Sequence, residues 1–224
     1  MLVAIPAWNE ADHLGELLGS VSEIVGGRDI LVIDDGSTDQ SRDIARSYSV
    51  HLEVHERNRG KGACLKSALR WARRQQYDWI LFLDGDGQHE PRFIADFIAA
   101  MQSDRFDVIL GNRQARSRCM PWHRRVSNRL SSAIVSVLTF PIPVADSQCG
   151  FRGVRLQHCD PEWFKEDGFQ FETEFILNLA RRGLRFGEVP ISTRYHSSVS
   201  RIAIVGDTIR FFRVILRHIS SGRV

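Results

Sequence analysis

Asp84-Gly85-Asp86-Gly87-Gln88 places two carboxylates and an amide within five residues, directly after the apolar run Ile80 to Leu83. Oxygen donors spaced in this way suit a hard divalent cation, which completes its shell with substrate phosphates and so needs few protein ligands. An EF-hand loop does not fit. Counted from Asp84, it requires glycine at the sixth place and glutamate at the twelfth, and the chain has His89 and Ala95. A second acidic cluster, Asp34-Asp35-Gly36-Ser37-Thr38-Asp39, follows the apolar run Ile30 to Ile33. Arg57-Asn58-Arg59-Gly60-Lys61-Gly62 is a glycine-bearing turn that brings Lys61 toward an anionic ligand. It is not a P-loop, because Gly62 stands where Ser or Thr must follow the lysine. His51 and His55 lie on a strand-like segment about 13 Å apart, which rules out a shared metal.

The elements that must hold these residues are short and regular. Leu2–Ile5, Ile30–Ile33, His51–His55, Ile80–Leu83 and Asp107–Leu110 read as strands. Between them, Leu14, Leu17, Leu18, Val21 and Ile24 form one helical face, as do Leu65, Ala68, Leu69 and Ala72, and Phe93, Ile94, Phe97, Ile98 and Met101. Asn9 with Asp12 marks the first helix start, Ser37 or Thr38 is a cap for the second helix, and Pro91 opens a later one. Five strand–helix alternations predict an α/β chain with a Rossmann-like, mostly parallel sheet flanked by helices. In such sheets ligands bind at the carboxyl ends of the strands, where both acidic clusters fall.

With 224 residues, 43% hydrophobic and 25% charged, the chain should fold throughout, and it shows no low-complexity segment or repeat. Cys64, Cys119, Cys149 and Cys159 form no C-x-x-C pair, and Met1 leads directly into a strand-like run with no sign of a signal peptide, so reduced thiols are expected. No apolar run approaches the roughly 18 to 20 residues of a membrane-spanning helix. The net charge of +3 conceals an acidic half, with 12 Lys/Arg against 18 Asp/Glu in residues 1 to 107, and a basic half, with 18 against 9 in the remainder. No acidic residue lies between Asp107 and Asp146, whereas Arg113, Arg116, Arg118, Arg124, Arg125 and Arg129 do. This segment continues into Leu130, Ile134, Val135, Val137, Leu138, Phe140, Ile142 and Val144, a combination that suits a lipid phosphate better than nucleic acid. Near the end, Ile209, Phe212, Leu216 and Ile219 share one helical face and Arg210, Arg213 and Arg217 another. A helix of this kind either lies in a membrane interface or packs on its own domain.

Four motifs occur in order with helix-sized gaps: Ala4-Ile5-Pro6-Ala7-Trp8-Asn9-Glu10, Val32-Ile33-Asp34-Asp35-Gly36-Ser37, Asn58-x-Gly60-Lys61-Gly62 and Asp84-x-Asp86-x-Gln88-His89. They are followed by Gly111-Asn112-Arg113, Asp146 with Cys149-Gly150-Phe151-Arg152, Phe169-Gln170-Phe171-Glu172 and Gly187-Glu188-Val189-Pro190-Ile191. The set resembles the family 2 inverting glycosyltransferases of the GT-A fold, and its second half looks most like the dolichol-phosphate or polyprenyl-phosphate mannose or glucose synthases.

The resemblance implies one GT-A domain over residues 1–224, with a nucleotide-sugar and metal half (1–112) and a basic acceptor half (113–224) ending in an amphipathic helix. Asp84, Asp86 and Gln88 would hold Mg²⁺ or Mn²⁺. Pro6, Glu10, Asp35 and Asp84 would line the nucleoside pocket, with Lys61 and Arg201 near the donor diphosphate. Arg201 sits in Ser198-Val199-Ser200-Arg201, a departure from the family's glycine-x-serine-lysine element. Arg113 and Arg124 would hold the acceptor phosphate, and the family's acceptor-site serine falls on Asn128, beside Ser127. Asp86, Arg113 and Glu172 form the expected catalytic set.

Glu172, Glu174 and Asp146 are candidate bases for a hydroxyl acceptor. A phosphate acceptor is already largely ionised and needs none, in which case Glu172 orients substrate or supports the metal site and Gln170 is structural. The expected reaction transfers a sugar, with inversion, from a donor of the GDP-mannose or UDP-glucose type to polyprenyl or dolichyl phosphate. It would occur on the cytoplasmic face of a membrane that the protein binds peripherally, with a membrane-protein partner as a further candidate and no nucleic acid. The alternatives are transfer to a glycan hydroxyl, without the processive enzymes' Q-x-x-R-W motif, and a noncatalytic nucleotide-binding, membrane-docking module. A nucleotidyltransferase is disfavoured because the first strand leads to Pro6-Ala7-Trp8-Asn9 and not to a glycine-rich turn.

Overall fold

The computed structural model describes residues 1–114, 122–193 and 204–220. Seven strands form one sheet: β1 (Leu2–Ala7), β2 (Ile30–Asp34), β3 (His51–Val54), β4 (Trp79–Phe82), β5 (Val108–Asn112), β6 (Arg152–Arg155) and β7 (Phe186–Pro190). Their order across the sheet is β3-β2-β1-β4-β6-β5-β7. The first four are mutually parallel, and β6 runs antiparallel to both of its neighbours, so the remaining six strands share one direction. The mostly parallel sheet is as expected, but β5 does not lie beside β4. β6 separates them, and its sequence Arg-Gly-Val-Arg carries a single apolar side chain, too little for a strand signal.

β1, β2 and β4 are buried on both faces, as parallel strands covered by helices must be. The coverings are α1 (Ala11–Val25), α2 (Ser41–Ser47), α3 (Lys61–Arg74), α4 (Ile94–Gln102), α5 (Trp122–Leu138), α6 (Phe171–Arg181) and α7 (Ile204–Ser220). One hydrophobic cluster joins α3, α5, α6 and α7 to one side of the sheet, and a second joins α1 and α4 to the other. The sheet passes through both charge halves, since β5 pairs with β6 and β7.

Two helix starts differ from expectation. Asn9 does not cap α1. It adopts a positive φ of 53° and accepts a hydrogen bond from Thr38 N (2.8 Å), while its own N–H donates to Ser37 Oγ (2.9 Å). Ser37 and Thr38 are thus used in lacing the β1 and β2 loops together, and α2 begins at Ser41, whose N–H donates to Asp39. Pro91 opens a 3-10 turn, Pro91–Phe93, that runs into α4.

Candidate active site

The carboxyl ends of β1, β2, β4 and β5 share one edge of the sheet with the start of β6. The chain changes direction across the sheet between β1 and β4, the place where α/β sheets open a ligand crevice. Pro6 lies on β1, Glu10 at the start of α1 and Asp35 directly after β2. Glu10 N donates to Ser41 Oγ (2.7 Å) and Ala11 N to Asp39 Oδ2 (3.0 Å), which closes the two loops against each other.

Asp35 is buried, and its carboxylate shapes the next loop. Oδ1 lies 2.7 Å from His55 Nδ1 and accepts from Arg59 N (3.0 Å), and Oδ2 accepts from Gly60 N (2.8 Å). His55 reaches Ser67 Oγ at 3.0 Å through its other nitrogen. Cys64 completes an Asp35–His55–Cys64 group whose ligand atoms lie within 4.8 Å of one another. Burial, and then the Asp35 charge, push the Cys64 thiol far above its ordinary range. This group works as an internal brace. No local pattern along the chain signals it, because His55 meets Asp35 only through the β2–β3 register, in which Asp34 pairs with Val54. His51 is exposed and tilted against Trp71.

The turn held by Asp35 delivers Lys61 as the first residue of α3. Gly60 has φ 98°, and a Cβ there would sit 2.5 Å from the Asp167 carbonyl oxygen, so only glycine lets the 60–62 and 166–168 segments approach this closely. Lys61 Nζ lies 2.6 Å from Asp84 Oδ1 and 2.6 Å from Glu172 Oε1. Burial disfavours the ammonium, yet the two carboxylates hold its pKa above the ordinary lysine value.

Asp84, Asp86 and Gln88 follow β4. Burial would raise the Asp84 pKa, but the Lys61 ammonium and then His89 bring it well below the carboxylate range. Asp86 is shifted the other way, upward, by burial and by the neighbouring Asp84 charge, and its Oδ1 accepts from Gln88 N at 3.0 Å. His89 is buried with Nε2 3.8 Å from Asp84 Oδ2, and its Nδ1 has no hydrogen-bond partner among the described residues.

Glu172 lies in the first turn of α6, where the helix dipole favours an anion. Besides Lys61 it meets Arg152, whose Nη2 is 3.5 Å from Oε2. Arg152 is 1% exposed. It donates to the Cys149 carbonyl (Nε, 2.9 Å) and to the Glu172 carbonyl (Nη1, 3.0 Å), and its guanidinium lies 5.5 Å from the Phe175 ring centre. It therefore ties the 149–150 loop to the start of α6. Gly150 in turn abuts Asp84, where an added Cβ would stand 2.5 Å from Asp84 Cγ. Glu174 accepts from Lys165 N and Glu166 N at 2.9 to 3.0 Å and so anchors a loop. Gln170 is buried at the start of α6, as a structural residue would be.

Arg113 and Asn128 come together on Asp146. Arg113 donates to it from Nε (2.7 Å), Nη2 (2.9 Å) and its backbone N (3.1 Å), and Asn128 from Nδ2 (2.9 Å). Burial would raise the Asp146 pKa, but Arg113 and then Asn128 hold it below the usual value. Arg124 belongs to α5, but its side chain lies outside the described residues, as do Arg116, Arg118 and Arg201. Of the residues that carry this site, Arg152, Gly150 and Asp146 sit in or beside motifs of the sequence, yet their roles depend on contacts with α6, β4 and β5.

A doubly wound sheet with one antiparallel insertion, and acidic loops at its switch point, is the architecture of an α/β ligand-binding fold. Glucosyl-3-phosphoglycerate synthase from Mycobacterium tuberculosis, solved with Mn²⁺, UDP and glucosyl-3-phosphoglycerate, superimposes with a TM-score of 0.75 at 17% identity, covering 96% of this chain and 78% of that one. The chain belongs to glycosyl transferase family 2, whose family model matches residues 2–160. One relative is the undecaprenyl-phosphate mannosyltransferase of Micrococcus luteus, 28% identical over 86% of this chain and 82% of that protein. Another, the polyprenol monophosphomannose synthase of Mycolicibacterium smegmatis, is 27% identical over 93% and 82%.

Proposed function

We propose that this glycosyltransferase moves a hexose from a nucleoside diphosphate sugar to a polyprenyl phosphate in a single displacement with inversion. One observation carries the choice of acceptor: the three candidate bases are already engaged, Glu172 by Lys61 and Arg152, Glu174 by two backbone N–H groups, and Asp146 by Arg113 and Asn128. A hydroxyl acceptor needs a proton removed; a phosphate oxygen attacks without that help. The names of the two polyprenyl-phosphate relatives point the same way.

The exposed surface supports a lipid acceptor. On α5, Val126, Leu130 and Val137 are exposed at helical spacing, and Phe140 just beyond is 80% exposed. α7 divides into three sectors. Phe211, Val214, Ile215 and His218 face inward, Ile209, Phe212, Leu216 and Ile219 face solvent, and the arginines lie between. The apolar stripe expected to choose between membrane and self-packing is thus the outward one, and a different face does the packing. No helix among the described residues is long and apolar enough to cross a membrane. We read these exposed surfaces as binding peripherally to the cytoplasmic face of a membrane, with the stripes among acyl chains and Arg210 and Arg213 at anionic headgroups.

The donor's metal fits the residues present. Asp84, Asp86 and Gln88 would hold Mg²⁺ or Mn²⁺, and the upward shift of Asp86 beside Asp84 is an electrostatic cost that a divalent cation relieves. Such an ion, when bound, would neutralise the charge of the departing diphosphate. Pro6, Glu10 and Asp35 would line the nucleoside pocket, and Arg113 with Asn128, oriented by Asp146, would receive the acceptor phosphate.

The test pairs GDP-mannose and UDP-glucose with polyprenyl phosphate, glycerol 3-phosphate and a simple glycoside, each with and without EDTA. Glycolipid formation that stops with EDTA, returns with Mn²⁺, and falls at least about 100-fold in Asp86→Ala is expected. Preferential turnover of either other acceptor would overturn the lipid assignment.

A further inference from the structure

We propose that Lys61 is a stand-in cation, which occupies Asp84 until the donor diphosphate draws it away, so that metal and donor bind together and the metal alone binds poorly. The inference rests on the reading of Asp84 and Asp86 as metal ligands and adds an internal competitor to it. Lys61 Nζ is 2.6 Å from Asp84 Oδ1 and 2.6 Å from Glu172 Oε1, and its side chain is 14% exposed. On the other side of the Asp84 carboxylate, Oδ2 faces His89 Nε2 at 3.8 Å and the Gly150 backbone. Any metal that takes Asp84 Oδ1 must therefore replace an ammonium already in contact or sit against it, and like charges at that range repel strongly in a partly buried site.

The donor resolves the conflict. A diphosphate offers Lys61 several anionic oxygens, and Glu172 keeps hold of the ammonium while it swings, because Arg152 fixes Glu172 from behind. Lys61 is then a positioning residue with two partners at different stages: carboxylates at rest, phosphate when the donor arrives. The brace of Asp35 and His55 under the 59–60 turn gives the side chain a fixed pivot.

The experiment measures Mn²⁺ binding by electron paramagnetic resonance on wild type, Lys61→Met and Lys61→Arg, without nucleotide and with saturating GDP or UDP. Without nucleotide, Lys61→Met should bind Mn²⁺ about tenfold more tightly or better, the loss of one charge-assisted competitor, while Lys61→Arg should stay near wild type. With nucleotide the gap should narrow, because the diphosphate strengthens Mn²⁺ binding more in wild type than in Lys61→Met. Lys61→Gln serves if Lys61→Met folds poorly. Equal or weaker nucleotide-free binding in the neutral variants, with normal nucleotide-dependent binding in wild type, overturns the stand-in role and leaves the metal site intact. Absence of Mn²⁺ binding in every state, or Mn²⁺ binding unaffected by Asp86→Ala, overturns the metal reading and this inference with it.

Discussion

Replacing Asp146 with asparagine separates the two roles this carboxylate could have. It is 1% exposed and accepts four hydrogen bonds, three of them from Arg113. The amide would keep the shape but lose the charge, and it would turn an N–H₂ group toward donors. Breaking a buried ion pair costs about 3 to 5 kcal/mol. Because the Arg113 side chain is 15% exposed and can recover some water, the lower end applies, about 3 kcal/mol at pH 7.

The pH dependence follows from the sign of the shift. The folded Asp146 pKa lies below its unfolded value of about 3.9, so its contribution is full above that pH and is lost as pH falls toward the folded pKa. Urea unfolding of wild type and Asp146→Asn at a series of pH values should therefore show a gap of about 3 kcal/mol at neutral pH that closes progressively below about pH 4. Acceptor KM should rise in the variant as Arg113 loses its anchor. A gap under about 1 kcal/mol at pH 7, or one that persists unchanged to pH 3, would refute the anchoring argument and make Asp146 a candidate base again.

Two other substitutions probe the surroundings. Gly150→Ala should weaken Mn²⁺ and donor binding at least about tenfold by crowding Asp84, with a stability loss of only about 1 to 3 kcal/mol, read by Mn²⁺ titration and thermal melts; unchanged Mn²⁺ affinity would deny the close approach of loop and carboxylate. Glu174→Gln should loosen the Lys165–Glu166 loop and cost about 1 to 3 kcal/mol while turnover of a glycolipid product stays within a few-fold of wild type, since Glu174 anchors backbone and takes no proton from the acceptor. A collapse of kcat with stability retained would identify Glu174 as a base.

Much of this protein is legible along the chain. β1, β2, β4 and β5 announce themselves as apolar runs, and acidic loops follow β2 and β4 because a strand buried on both faces must end before it can expose carboxylates. The resemblance of the ordered motifs to family 2 glycosyltransferases is local information too, and the family model agrees with it. Less was legible where polar residues meet across distant segments. β6 is four residues with one apolar side chain, and it becomes a strand because β4 and β5 each lend it a hydrogen-bonding edge. Asn9, Ser37 and Thr38 look like helix caps in isolation, but when β1 and β2 lie side by side their loops bond to each other instead.

Fold class, the succession of acidic and basic segments, and the residue types available for a cation and a phosphate can all be read from the order of amino acids. Their partnerships had to wait for the folded chain: Lys61 between Asp84 and Glu172, the latter 111 positions away, Arg113 and Asn128 on Asp146, and the outward turn of the second apolar stripe on α7. The difference is one of range. Periodicity and turn chemistry act over a few neighbouring residues, whereas the charge state and orientation of a buried group depend on whatever the packed sheet and helices bring within about 4 Å of it.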